Sequence, residues 1–347
     1  MSIIKKIIIV SSIAALLFSV WVWISYKEAL TDTLNIQSDN IDYSIKSGSS
    51  LSSVVYDLAN NKIIKHPRYL LWYARFNGLS NKMKRGDYRL TKELTTKKFL
   101  NNIFTGKVIQ YSLTIVEGWS FQQLLEVLNK HPHIKHTLTK IPKQQIMTNL
   151  GLTGHYEGQF LPDTYHFPKE LTDIEFLKRA YESMQSVLKE EWNNRADGLP
   201  YKNEYEALVM ASIVEKETGL ASERQKIAGV FLRRLEKRMR LQTDPTVIYG
   251  MGDKYKGNLR KKDLLQDTPY NTYRRRGLPP TPIALPGRNA IHAALHPAEG
   301  NALYFVARGD GSHQFSATLQ EHNRAVIKYQ LKGRARPFSS YKHKKSN

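Results

Sequence analysis

The apolar run from Ile7 to Ile24 is broken only by small serines, with Lys5 and Lys6 before it and Lys27 and Glu28 after it. It approaches the ~20 residues an α-helix needs to cross a bilayer. Lysines on the short N-terminal side place that end inside and everything after Tyr26 outside. A cleaved signal peptide would need a small-x-small site, whereas Phe18 to Tyr26 is bulky. The expectation is an uncleaved anchor over residues 7–26 behind a cytoplasmic stub of residues 1–6. Thr31 to Asp39 is polar and aperiodic, so residues 27–41 read as a tether.

Beyond the tether the pattern becomes globular. Tyr43 to Ile45 reads as a short strand and Lys46 to Gly48 as a turn. Leu51, Val54, Val55 and Leu58 then fall at helical spacing behind a Ser cap at position 49 or 50. A second helical pattern holds Tyr69, Leu70, Trp72, Tyr73 and Phe76 and stops at Asn77-Gly78. The same order returns later: Ser112 to Val116 as a strand, Glu117-Gly118 as a turn, Ser120 as a cap, and Phe121, Leu124, Leu125 and Leu128 as a helix. The two copies are either related supersecondary units or a chance recurrence of a common one. Glu157 to Tyr165 is loop-like and rich in aromatics and carboxylates. Helices are expected near 173–194 and 204–218. A Ser222 to Gln225 capping box opens a third, with Ile227, Val230, Phe231 and Leu235 on one face. Leu303 to Ala307 and Gln314 to Ser316 flank Gly309-Asp310-Gly311 as a hairpin. The fold class is α+β: an N-terminal transmembrane helix, a small α/β module over residues 42–106, a larger mixed α+β domain over 107–332, and a basic, mobile tail over 333–347.

A formal net charge of +21 calls for an anionic partner. Because the basic surface lies outside the cytoplasm, nucleic acid is excluded and an acidic polymer of the cell wall is favoured. The chain has no cysteine, which fits an oxidising compartment managed without disulfides.

Two carboxylates stand in the otherwise apolar helix Ala211-Ser212-Ile213-Val214-Glu215-Lys216-Glu217-Thr218. A carboxyl held against apolar surface resists ionisation and can donate a proton near neutral pH. On a wheel with Ala207 at zero, Ala211, Val214 and Thr218 fall within roughly 40°, and Lys216 lies opposite. Glu215 and Glu217 fall about 80° to either side of the stripe. Spacing alone leaves both as candidates, and leaves equally open that each pairs with a cation of the basic next helix. The polar loop Leu241 to Thr246 carries Gln242, Thr243, Asp244 and Thr246 around a proline. Pro269 to Tyr273 carries Asn271, Thr272 and Tyr273 and precedes Gly277-Leu278-Pro279-Pro280. These amide, hydroxyl and aromatic groups suit hydrogen-bonding and stacking on sugars, though Pro-braced turns use the same residues. His292 and His296 stand at i and i+4, but without the Glu of a metalloprotease pattern or any cysteine they read as surface or capping histidines. No metal or other cofactor is expected. Neither a Gly-x-Ser-x-Gly elbow nor a phosphate-binding glycine loop occurs.

Six segments, Glu157 to Phe167, Ala211 to Thr218, Leu241 to Gly250, Pro269 to Tyr273, Gly277 to Gly287 and Tyr304 to Asn323, together resemble the YceG-like endolytic murein transglycosylases, in family order. Thr281 stands where that family usually has Gly, and Leu285 where a smaller or polar residue is usual. Ile45 to Leu51 is similar to the strand, glycine turn and helix start of a LysM-like module, and Lys84 to Tyr88 matches it loosely. The resemblance places the catalytic carboxyl at Glu215 and implies cleavage between N-acetylmuramic acid and N-acetylglucosamine of nascent peptidoglycan, leaving 1,6-anhydro ends. It implies that Asp163, Gln242, Asp244, Asn271, Thr272 and Tyr273 line the glycan cleft. Its partners would be glycan strands and glycan polymerases. The protein would span the inner (cytoplasmic) membrane once, N-terminus cytoplasmic and catalytic domain periplasmic. The competing readings are a non-catalytic wall-binding scaffold and a two-carboxylate muramidase, with Asp244 or Asp163 as its second group.

Overall fold

The protein is described by a computed structural model, which covers residues 3–331 and Arg334. The basic tail expected over 333–347 lies, Arg334 apart, outside the described residues, as do the first two residues of the stub. The architecture is mixed α+β, and the chain divides into two compact units. One holds the described residues up to Tyr111 together with His166–Glu170; the other holds Ser112–Tyr165 and everything from Leu171 onward.

The first unit opens with helix α1 (Ile3–Thr31), which is long and apolar enough to cross a membrane. Strand β1 (Asn40–Ile45), helices α2 (Leu51–Asn60) and α3 (Pro67–Phe76), strand β2 (Gly86–Thr91) and helix α4 (Thr96–Thr105) follow. The two strands run antiparallel, with Tyr43 opposite Tyr88. Ser50 caps α2 by accepting the Ser53 N–H at 3.0 Å, and Asn77 closes α3, as the spacing predicts. Apolar residues at helical spacing on α2, including Val55 and Leu58, meet Leu70, Leu90, Phe99, Leu100 and Ile103 in one core.

The expected tether is different. Leu34 and Ile36 are buried in that core, Leu34 N–H donates to the Leu94 carbonyl at 3.0 Å, and Asn35 N–H donates to that of Ile63 at 2.9 Å. Two apolar side chains in an otherwise polar stretch suffice to pin it, because their burial offsets the lost chain freedom.

The second unit takes in, apart from Tyr111, His166 and Phe167 at the ends of two strands, β3 (Tyr111–Thr114), α5 (Phe121–Lys130), β4 (Ile134–Lys135), α6 (Lys143–Asn149), β5 (Thr164–Phe167), β6 (Leu171–Thr172), α7 (Asp173–Asn193), α8 (Glu204–Glu217), α9 (Arg224–Glu236), α10 (Asp244–Met251), α11 (Lys261–Leu265), α12 (Arg288–Leu295), β7 (Tyr304–Ala307), β8 (His313–Ser316) and α13 (Leu319–Tyr329). The hairpin around Gly309 to Gly311 forms, Phe305 opposite Phe315. The Ser120 capping box forms with Gln123. The Ser222 box does not: α9 follows a 3₁₀ turn at Ala221–Glu223, and the Glu223 carboxylate accepts both the backbone N–H of His313 at 3.0 Å and its Nδ1 at 2.7 Å. The Leu241 to Thr246 stretch is also less loop-like than expected. Helix α10 starts within it at Asp244, since Pro245 suits a first helical turn where no N–H is needed.

Helix α8 is the centre of this unit. Every residue from Ala207 to Val214 is buried, and the helix packs against α7, α9, α10 and α12. A helix that is apolar all round belongs inside a core. It therefore carries its two last-turn carboxylates to the edge of that core.

Candidate active site

Glu215 sits in the last turn of α8 with its side chain only 6% exposed. Its Oε2 accepts the backbone N–H of Gly287 at 2.9 Å, and its Oε1 lies 3.6 Å from Nη2 of Arg224. Arg224 opens α9, so a cation of the next helix does stand beside Glu215, but inside the unit instead of on an open flank. Burial is the largest influence on the Glu215 carboxyl and raises its pKa. The Gly287 N–H opposes this, Glu117 reinforces it, and Arg224 opposes it; the outcome is a pKa above the usual carboxylate value.

Glu117 belongs to the turn between β3 and α5, and its side chain is 43% exposed. Its Oε2 lies 3.6 Å from the same Nη2 of Arg224. The turn is stitched to the chain before α12: Gly118 N–H donates to the Leu285 carbonyl at 2.9 Å, and Leu285 N–H donates to that of Trp119 at 2.7 Å. Gly118 has φ +77°, a conformation side-chain-bearing residues avoid. Lys216 Nζ donates to the Gly118 carbonyl at 3.1 Å. Four chain segments, the Glu117 turn, the end of α8, the start of α9 and the residues leading into α12, thus converge on one carboxyl.

Glu217 faces the other way. It accepts a hydrogen bond from the Thr243 hydroxyl. Burial pushes its pKa up to about 7 against that bond, and Asp244 adds to the rise. Thr243 N–H donates to the Thr272 hydroxyl at 3.1 Å, and the Thr246 and Thr272 hydroxyls are 2.9 Å apart. Burial likewise raises Glu157 to about 7 although it accepts Phe121 N–H at 2.8 Å and the Tyr249 hydroxyl at 3.1 Å. Here the carboxylate closes the N-terminus of α5, where free N–H groups favour an anion.

The six residues expected at the glycan cleft divide by environment. Asn271 and Thr272 are buried. The Asn271 amide donates to the carbonyls of Asp263, Leu264 and Gln266 at 3.4, 3.0 and 2.6 Å, so it braces the loop carrying α11. Asp163, Gln242 and Asp244 are exposed, and Tyr273 is half-buried with its hydroxyl donating to Asp244 at 2.5 Å. Gln242 holds φ +55°, uncommon for a side chain of its kind. In the sequence Glu117 reads as a turn residue and Arg224 as part of a basic helix, and the structure brings both beside Glu215. The signal for Glu117 was a carboxylate set between an apolar strand and a Ser cap.

Glu191, His292 and His296 bring their ligand atoms within 4.8 Å of one another, the donor set of a metal site. Each already has a protein partner. Glu191 accepts from Arg288 at 2.9 Å and pairs with His292 Nδ1 at 2.8 Å, and His296 Nε2 lies 2.8 Å from the Asn194 carbonyl. His296 also caps α12.

A mixed α+β chain with an anchor-like helix, and a nearly buried carboxyl of raised pKa at the end of its central helix, defines a class of protein with an enclosed carboxyl. The chain belongs to the YceG-like family, whose sequence model matches residues 43–328. It is 33% identical over 310 residues to the endolytic murein transglycosylase of Bacillus subtilis (strain 168), covering 83% of this chain and 84% of that one. It is 26% identical to the protein of the same name from Streptococcus pneumoniae serotype 2, over 94% of this chain but 65% of the longer relative. The crystal structure of a YceG-like protein from Listeria monocytogenes superposes with a TM-score of 0.52 at 30% identity, covering 83% of this chain and 99% of that chain.

Proposed function

We propose that this protein cleaves peptidoglycan glycan strands from within as a lytic transglycosylase, with Glu215 as the single acid and base. The observation that carries the reading is Glu215 itself, a nearly buried carboxyl whose proton affinity is raised and whose anion has a backbone N–H waiting for it. As acid it gives its proton to the oxygen linking N-acetylmuramic acid to N-acetylglucosamine while the C1–O bond breaks. The muramyl C6 hydroxyl attacks C1, and the Glu215 carboxylate takes that hydroxyl's proton. The acid is regenerated, a 1,6-anhydro ring closes and no water is consumed. The names borne by the Bacillus and pneumococcal relatives support the substrate class.

Asp163, Gln242, Asp244 and Tyr273 are the proposed sugar contacts, with Asn271 and Thr272 holding the loop that presents them. The α1 helix would anchor the chain in the inner membrane with its N-terminus cytoplasmic and the catalytic unit periplasmic, beside the glycan polymerases that extrude the strands. The β1–α2–α3–β2 order of the first unit supports a LysM-like module over residues 42–106, followed by the catalytic domain over 107–332.

Digestion of murein by the full-length chain, followed by mass spectrometry of the new ends, tests the reaction. Anhydro ends are lighter than hydrolysed ends by about 18 Da, one water. Glu215→Gln should bind murein and cut none of it. Hydrolysed ends would make the enzyme a muramidase, and an unimpaired Gln variant would remove Glu215 from the chemistry.

A further inference from the structure

Arg224 is shared. Its Nη2 stands 3.6 Å from Oε2 of Glu117 and 3.6 Å from Oε1 of Glu215, and its buried Nε has no hydrogen-bond partner among the described residues. One guanidinium cannot neutralise two carboxylates, so the trio retains a negative charge whenever both are ionised. At these separations neither carboxylate has the short, two-pronged contact that makes an Arg pair strong. The two acids also differ in access to water: Glu117 is 43% exposed and Glu215 is 6% exposed. The Glu117 carboxylate can share its charge with water, whereas burial raises the pKa of Glu215 and makes it the proton donor of the trio.

We propose that Glu117 is a positioning residue for the cleavage: by engaging Arg224 and adding its own charge, it keeps Glu215 in the proton-donating form. The idea rests on the reading of Glu215 as the acid. The place of Glu117 is fixed by more than charge. Its turn is bonded to Leu285 at two points, and its carboxylate lies where a side chain at position 287 would go: a Cβ there would fall 1.9 Å from Oε1 of Glu117. Gly287 thus leaves room for Glu117 while its own N–H holds Glu215. The other charged group beside the site, Lys216, has its ammonium on the Gly118 carbonyl. Arg224 is divided between the two carboxylates; in Glu117→Gln it acts on Glu215 alone.

The experiment compares the pH profile of kcat/KM for full-length wild type, Glu117→Gln and Arg224→Gln in detergent micelles, with murein as substrate. A general acid is lost on the alkaline side. Glu117→Gln should move that limb to lower pH by about one unit, and Arg224→Gln should move it to higher pH by a similar amount. Opposite signs from two neighbouring replacements are the mark of charge; a packing role would lower activity without moving the limb. The Glu215 carboxyl is followed independently by carbon-13 NMR, its signal identified by its loss in Glu215→Gln. An unshifted limb and an unshifted Glu215 titration in Glu117→Gln overturn the proposal, even if activity falls. A shifted Glu215 titration in a chain that cuts no murein keeps the coupling and refutes the proposed function.

Discussion

The backbone N–H of Gly287 donates to Oε2 of Glu215 at 2.9 Å, joining the segment that leads into α12 to the end of α8. Gly287 has φ −76° and ψ 166°, which alanine adopts freely, so its glycine identity is not a backbone requirement. The requirement is the space that Glu117 occupies. Gly287→Ala should leave the fold intact, displace the Glu117 carboxylate and lower murein cleavage roughly ten- to a hundred-fold, the scale of small misplacements in an active site. Thermal unfolding alongside a digestion assay checks this, and full activity in the alanine variant would show that the approach of 287 to 117 has no bearing on the site.

Glu157 predicts an unusual pH dependence of stability. Its folded-state pKa of about 7 stands above the ordinary 4.5, so the folded chain holds a proton that the unfolded chain has released. Stability is then full below about pH 4.5 and is lost as pH rises towards 7, by at most on the order of 3 kcal/mol. Glu157→Gln carries no such proton. Its urea midpoint should fall less between pH 5 and pH 8 than that of wild type. An equal fall in both proteins would mean that Glu157 ionises as freely in the fold as outside it.

Much of the first unit is legible from spacing because α2 and α3 each show one apolar face and a recognisable end, as Ser50 and Asn77 do. Helix α8 is legible in existence but not in orientation. The wheel assumed a single apolar stripe on α8, whereas every residue from Ala207 to Val214 is buried, so angular position carries no information about which carboxylate meets what. Only long-range partners separate them: Gly287 and Arg224 for Glu215, Thr243 for Glu217. Those partners lie in loops and helix ends whose approach is set by the packing of the whole unit. The packing of Leu34 and Ile36 and the start of α10 escape the pattern for a related reason. Leu34 and Ile36 are too few to make a period, and Pro245 serves a loop or a first helical turn equally well.

Asn271 is proposed to serve the glycan cleft without touching sugar. Its amide is bonded to three carbonyls of the chain at and just after α11, and its Oδ1 accepts the Tyr273 N–H at 2.9 Å. Asn271→Ala takes a donor from three part-buried carbonyls and an acceptor from the Tyr273 N–H, each bond worth about 0.5–1.5 kcal/mol net. The expected result is a loss of at least about 2 kcal/mol in stability, with binding and cutting lost together as the loop loosens. Chemical denaturation measures the first and murein pull-down the second. A stable variant with weakened binding alone would instead make Asn271 a direct sugar contact.

Gln242 poses the opposite case. It is exposed, yet it holds φ +55° beside Thr243, and its N–H donates to the Thr272 carbonyl at 3.2 Å. A non-glycine residue kept in that region costs the fold about 1 kcal/mol or more, and such strain persists where surrounding structure or function demands the side chain. Gln242→Gly relieves the strain and deletes the amide while keeping the N–H bond. Stability should stay level or rise by up to about 1 kcal/mol, while the KM for glycan strands rises several-fold and kcat changes little. Steady-state kinetics on strands of defined length, set beside a denaturation curve, separate the two effects. Should the glycine variant gain stability at unchanged KM, the strained glutamine is a feature of the turn alone and has no part in holding sugar.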